Sequence, residues 1–384
     1  MLACQRHVFS IPRDVHYVNC AYMSPLLKTV EAAGIEGVRR KSRPWEIAGD
    51  DFFAPAEEVR AMAGRLVHAP PESVALTPAV SYGAAIVAGA IPLARGQNVV
   101  LVAEEFPSVV YVWRERCRQT GAELRIVPRP EPGPAPGRRW NERLLEAIDR
   151  NTAALPITAV HWTDGTRFDL PALRRRTREV GAALIVDGTQ SVGAQPFDFS
   201  ALQPDALLCA GYKWLLGPYS LGFTVLGERL RDAEPLEHNW IARKDSENFA
   251  ALVNYRDEFQ SGARRFDVGE RSNFALIPML AEGLRQLLEW SPAAIEDYCA
   301  RLKVPLAKRL ENSPYRLSDP SGQADHLFGV PVPDAALLPR IQAELKRRNV
   351  HVSLRGSAIR LSPNVYNDTQ DLEALAEGLL AAAG

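Results

Sequence analysis

The sequence predicts an α/β protein, with a large domain on a mostly parallel, seven-stranded-type sheet flanked by helices and a smaller C-terminal α+β domain. Three observations predict it. From about residue 70, short apolar runs alternate with amphipathic stretches, as strands joined by crossover helices do. Several of these runs are apolar at successive positions, among them 98–103 (NVVLVA) and 182–186 (AALIV), which is the mark of a buried strand. Beyond about residue 245 the texture changes to longer helical stretches and then to short strand-like pieces.

In chain order, residues 73–76 form a short strand, followed by a turn and a helix over 82–90. Strands follow at 98–103 and, after a helix over 110–120, at 124–127. The pattern continues with strands at 153–160, 182–186 and 206–209, and 223–226 runs back along the sheet. The segment 128–139 (PRPEPGPAPGRR) is rich in Pro and Gly, so it reads as a surface loop. Helices are expected over 278–290 and 292–308, strands at 327–332, 350–354 and 358–361, and a last helix from Asp371. The expected division is 15–245 for the large domain and 246–384, with 1–14, for the small one.

Bulk properties narrow the function. Hydrophobic residues at 46% and charged residues at 24% are ordinary globular values. The net charge of −1, from 45 basic and 46 acidic residues, gives no reason to expect nucleic acid or an anionic membrane as partner. A small neutral or zwitterionic substrate fits better. Cys4, Cys20, Cys117, Cys209 and Cys299 are odd in number and lack CxxC or zinc-knuckle spacing. They read as reduced thiols in a cytoplasmic protein without a metal site. The opening MLACQRHVFSIPRDVHY has no apolar stretch of the kind a secretory signal needs. The most apolar stretch, 79–94, is broken by Ser81, Tyr82 and Pro92 and is too short for a membrane span.

Three motifs carry chemistry. In AALIVDGTQS, Asp187 follows a buried strand at its carboxyl end, the rim where open parallel sheets bind ligands. An ionised carboxylate buried there needs a cationic partner, and a protonated pyridine nitrogen would supply one. The plainer reading is a helix cap. In CAGYKWLLGP, Lys213 lies between an apolar strand and an apolar turn. Desolvation there lowers the amine pKa, as an imine-forming lysine requires; the alternative is a snorkelling surface lysine. The spacing of 26 residues between Asp187 and Lys213 is one βα unit, which puts both at the same rim. In LTPAVSYG, backbone N–H groups at a helix start and the Ser81 hydroxyl form an anion site suited to phosphate, although Ser and Thr cap many helices.

The pair DGTQSVGA and AGYKWLLGP resembles the fold-type I pyridoxal-phosphate enzymes of the class V aminotransferase family. That family includes cysteine desulfurases, kynureninases, isopenicillin N epimerase-like proteins and true aminotransferases. The likeness runs from 17–22 (YVNCAY) to Tyr366 and Asn367. It implies that Lys213 holds pyridoxal 5′-phosphate as a Schiff base, that Asp187 pairs with the ring nitrogen and that Gln190 bonds the phenolic oxygen. Val80, Ser81 and Tyr212 then hold the phosphate, and Arg360 clamps the substrate α-carboxylate, with Tyr22 also on the substrate side. A planar guanidinium suits that bidentate task; otherwise Arg360 is a surface strand arginine. Phe106, in EFPS, stands where a ring covers the cofactor face, and equally reads as core. Arg271 and Ser272, in GERSN, resemble a loop lent to a partner subunit's phosphate, which implies a homodimer with shared sites; the plainer reading is a cap ahead of Phe274.

Two departures matter. The stretch 352–360 (VSLRGSAIR) lacks the cysteine that desulfurases place before the carboxylate arginine, which disfavours that activity. Trp162 replaces an asparagine beside the cofactor oxygen; an indole cannot accept a hydrogen bond, but it walls the site against water or donates through its N–H. His161 is a candidate acid–base group or a structural histidine. The expectation is aminotransferase-type chemistry on an amino acid through an external aldimine and quinonoid. Carbon–sulfur or carbon–carbon lyase and epimerase activities share every residue named. A nucleotide-binding oxidoreductase is disfavoured because no GxGxxG follows the first clear strand. A non-catalytic cofactor carrier would not need Arg360 alongside Lys213 and Asp187.

Overall fold

The computed structural model of the chain describes residues 1–384 except 132–134, 316, 318–321, 357 and 384. In chain order the elements are β1 (His16–Tyr17), α1 (Lys28–Lys41), α2 (Ala54–Val67), β2 (Val74–Thr77), α3 (Val80–Ala90), β3 (Asn98–Val102), α4 (Pro107–Thr120), β4 (Glu123–Val127) and α5 (Pro136–Ala147). There follow β5 (Thr152–Thr158), α6 (Leu170–Val180), β6 (Ala183–Asp187), α7 (Phe199–Leu202), β7 (Ala206–Ala210), β8 (Gly222–Leu226), α8 (Leu276–Trp290) and α9 (Pro292–Leu310). The chain closes with β9 (Phe328–Pro331), α10 (Leu338–Arg347), β10 (Val350–His351), β11 (Ser353–Arg355), β12 (Ala358–Leu361) and α11 (Thr369–Ala383).

The central sheet has seven strands in the order β2-β8-β7-β6-β5-β3-β4. Neighbours from β7 to β4 are parallel, and β8 runs antiparallel to both β2 and β7. Every residue of β2, β3, β5, β6, β7 and β8 is buried, because helices cover both faces. Only at the edge does this fail: β4 exposes Glu123 and Ile126, and charged side chains there guard the open edge. All six parallel-running strands end at one rim, and the site forms there.

Of the expected loop 128–139, residues 132–134 lie outside the described residues, and 136–139 are corrected to helix as the first turn of α5. Pro136 opens that helix, at the one position where a missing N–H and a fixed φ suit a helix start. A smaller antiparallel sheet, β11-β12-β9, lies in the C-terminal part. The N-terminal segment joins it: β1 pairs in parallel with β10, and the Gln5 N–H donates to Val365 O at 2.7 Å. Helix α8 packs on α1 and α2. Among the described residues, no helix is long and apolar enough to cross a membrane, and no group of three or more His, Cys, Asp or Glu is placed to hold a metal.

Candidate active site

A cavity of about 210 Å³ opens at the carboxyl ends of the parallel strands. Its walls include Val80, Ser81, Phe106, Trp162, Asp187, Gln190, Tyr212 and Lys213. Eight of the residues expected from sequence therefore converge on one space.

Asp187 is the last residue of β6, opposite Leu208 of the adjacent β7. Its carboxylate accepts the Thr189 N–H at 2.9 Å. Burial pushes its pKa up, against the hydrogen bonds from Thr189 and the charge of Lys213, so a further cation at this carboxylate would relieve a real deficit. Lys213 follows β7 by three residues on the connection to β8, and is 6% exposed. Its Nζ lies 5.4 Å from the centre of the Phe106 ring and 5.3 Å from that of Tyr212. Desolvation drives its pKa down to about 8; Asp187 opposes this, while Arg360 and Arg355 push it further down.

The connection carrying Lys213 is closed at its base. Gly211 N–H donates to Leu221 O at 3.0 Å, and the Gly217 N–H donates to Gly211 O at 2.9 Å. A Cβ on Gly211 would fall 2.1 Å from Leu221 O, so only glycine permits that closure.

The start of α3 lies across the cavity. No side chain caps it, which leaves its first N–H groups, with the Ser81 hydroxyl, directed to the rim. Tyr212 faces the same cavity, its ring 4.6 Å from that of Tyr219. Burial holds the Tyr212 pKa up at about 12, so its hydroxyl is a proton donor at neutral pH. Gln190 donates from Nε2 to Ala21 O at 3.1 Å and accepts the Trp214 indole N–H at 2.9 Å, leaving one amide hydrogen for a ligand. An anion cradle, a buried lysine and a buried carboxylate in one cavity have the chemistry that pyridoxal 5′-phosphate needs, and the start of α3, Lys213 and Asp187 are the groups that would hold it.

Trp162 uses its N–H on Glu104 O at 2.7 Å, so of its two expected roles the wall remains. It meets Phe106 edge-on, with ring centres 5.6 Å apart. Glu104 has φ of 57°, a left-handed conformation uncommon outside glycine, and Arg129 pairs with its carboxylate at 2.9 Å. Arg360, 1% exposed, donates to Trp162 O at 2.9 Å and to Ser353 Oγ at 3.4 Å. Tyr22 is 56% exposed and close enough to Tyr212 and Arg355 to affect their ionisation.

Arg271 and Ser272 do not line this cavity. Arg271 is buried and bonds Asp267 of its own chain at 2.7 Å, while Ser272 Oγ donates to Phe52 O at 2.5 Å. Ser272 borders a separate cavity of about 470 Å³ with Phe52, Trp240 and Phe274. His161 is fully buried, bonded to Thr163 and packed on Trp140 and Phe168, and burial lowers its pKa to about 4.

Sequence reasoning missed Glu105. This carboxyl, 4% exposed, accepts the N–H of Phe106 at 2.7 Å and that of Thr158 at 3.1 Å, tying the Phe106 segment to the end of β5. Burial raises its pKa to about 8. Nor did it find Thr189 or Arg355. The hydroxyl two residues after Asp187 was a usable signal for Thr189.

The family model for class V aminotransferases matches residues 42–375. An uncharacterised aminotransferase of Bacillus subtilis (strain 168) is 24% identical over 313 residues, covering 80% of this chain and 78% of its own. Isopenicillin N epimerase of Streptomyces clavuligerus is 27% identical over 342 residues, covering 85% and 84%. The solved structure of a C-DES variant, with glycine covalently linked to its PLP cofactor, superposes with a TM-score of 0.86 at 18% identity, covering 99% of this chain and 100% of that one. A match over most of its length makes this chain a member of the class V aminotransferase family, pyridoxal-phosphate-dependent enzymes of fold-type I.

Proposed function

We propose that the protein acts on the α-carbon of an amino acid by aminotransferase-type chemistry, with pyridoxal phosphate on Lys213. One observation carries this reading: the buried Lys213 amine and the buried Asp187 carboxylate, at neighbouring strand ends, face a single cavity. When bound, pyridoxal phosphate supplies an electron sink for bonds at the substrate α-carbon. The chain's own residues do the rest. Asp187 would hold a proton at the ring nitrogen. The Lys213 amine, when not bonded to the cofactor, would carry a proton to and from the α-carbon. Arg360 orients the substrate carboxylate, and Phe106 and Trp162 exclude water.

Persulfide chemistry has no support in the site. Cys20, near Lys213, is buried and accepts a hydrogen bond from Asn364 at 3.3 Å, and burial pushes its pKa to about 12, which makes it a poor nucleophile. We further propose a homodimer. Support comes from exposed apolar side chains in one stretch of chain: Trp240, which lines the cavity at Ser272, Phe249, which meets Trp240 edge-on, and Val253 and Tyr255, which expose 78% and 95% of their surface.

An amino-acid panel tests the reaction. Keto acid release, with the cofactor left in its amine form, is the expected result. Sulfide, pyruvate or alanine release would establish a lyase instead, and an inverted amino acid an epimerase. Lys213→Ala should abolish the covalent chromophore. Arg360→Ala should weaken amino-acid binding by about 2 kcal/mol, roughly thirtyfold, without bleaching the cofactor; unchanged affinity would remove its clamp role.

A further inference from the structure

The hairpin that carries Arg360 carries a second arginine on the same face. In the β11–β12 pairing, Ser353 faces Arg360 and Arg355 faces Ala358. Side chains alternate along a strand, so Ser353 and Arg355 point to one side, and their partners Arg360 and Ala358 point there too. Arg355 and Arg360 are thus diagonal neighbours, a separation across which like charges repel.

No protein carboxylate answers this repulsion. Among the described residues, Arg355 donates to the carbonyl of its neighbour Leu354 at 2.7 Å and Arg360 to Trp162 O and Ser353 Oγ. The Nε atoms of both are buried and lack an acceptor. Ser353 Oγ is itself fixed by donating to Asn19 Oδ1 at 2.9 Å, so the Arg360 fork is locked in place. Among the described residues no carboxylate pairs with either guanidinium group, and burial together with their mutual repulsion pushes the Arg360 pKa down. Two guanidinium groups are thus held partly or wholly out of water without a countercharge, a costly arrangement unless an anion arrives to complete it.

Both address the same wall residue from different depths. Arg360, fully buried, grips the Trp162 carbonyl, whereas half-buried Arg355 lies over the Trp162 indole at 5.5 Å. Tyr22, more than half exposed, marks the outer end. Neither arginine lines the cavity itself, but both flank its Trp162 wall and both act on the Lys213 amine, Arg360 more strongly than Arg355.

We infer that the substrate is a dicarboxylic amino acid, its α-carboxylate on Arg360 and its side-chain carboxylate on Arg355. This rests on the proposed function and names the substrate class for that same site.

The test is an equilibrium titration of the cofactor-loaded protein, read by the change in its visible absorbance. The ligands are the matched pairs L-glutamate and L-glutamine, and L-aspartate and L-asparagine. The acidic member of at least one pair should bind about tenfold more tightly than its amide. Arg355→Gln should close that gap to within about threefold, chiefly by weakening the acidic member, and Arg355→Lys should restore part of it. Equal affinity for acid and amide in the unmodified protein would overturn the inference, and it needs no variant to fold. So would an Arg355→Gln protein that loses affinity for both members alike, which would place Arg355 on the α-carboxylate. Both results leave the proposed function standing. Absence of a spectral response to any amino acid would instead remove the proposed function, and this inference with it.

Discussion

Asp187 and Lys213 show how burial sets chemistry at single residues. Because burial raises the Asp187 pKa, its ionised form is disfavoured in the unloaded protein; the stability contributed by the neutral form is full below the ordinary carboxylate pKa and is lost as pH rises from there through the raised folded value. Asp187→Asn mimics the protonated form. The unloaded variant should therefore melt no lower than the parent at neutral pH, while turnover of the loaded enzyme falls by about 10²-fold or more. A melting point well below the parent's would mean that the carboxylate holds the fold and not the ligand. For Lys213 the shift runs the other way: a cation below about 8, the amine becomes a nucleophile above it, against 10.5 for an ordinary lysine. Cofactor uptake by unloaded protein, followed by absorbance, should speed up as pH rises and level off above about 8. A midpoint near 10.5 would place the amine in water. The sequence made these two groups legible, because each follows an apolar run that had to be a strand. Glu105 was not legible, since its partners are backbone N–H groups from two strands whose adjacency no local pattern reveals.

Among the elements, β2 is held by a hub whose Asp267, Arg60 and Arg271 do not line the cavity. Asp267, fully buried, accepts from Arg60 and Arg271, each at 2.7 Å, and from the Leu76 N–H of β2 at 2.7 Å. Arg60 also reaches the Val74 carbonyl and Glu57. Asp267→Asn would leave two buried guanidinium groups short of charge, and should cost about 3–5 kcal/mol in denaturant unfolding. A loss under about 1 kcal/mol would mean that water reaches the pair. Helix α3 also presses on the sheet at Gly83, where a Cβ would fall 2.3 Å from Thr224 Oγ1. The strands were readable because each was apolar throughout. Pro-rich composition hid the start of α5, since proline signals a loop and a first helical turn alike. Arg271 is held by Asp267 of its own chain, a pairing the motif did not reveal, because a motif fixes spacing but not which charge lies opposite.

At the level of the whole molecule, the exposed aromatic segment around Trp240 and Tyr255 sets up a test of assembly. Sedimentation should give a dimer, and Tyr255→Glu together with Val253→Glu should shift it toward monomer; a monomeric parent would remove the shared-site proposal. The seven-stranded sheet was legible from the rhythm of apolar runs, whereas the pairing of β1 with β10 was not, because two residues at each end of the chain carry no periodicity. One feature of the sheet reaches furthest. Antiparallel β8 turns the Lys213 segment into the tip of a hairpin sealed at Gly211 and Leu221, between two strands that are buried throughout. The lysine tether therefore has no private way to loosen. Amide deuterium uptake over 211–217 should track that of β7 and β8, so the amine would lose its aim only when the central sheet itself opens.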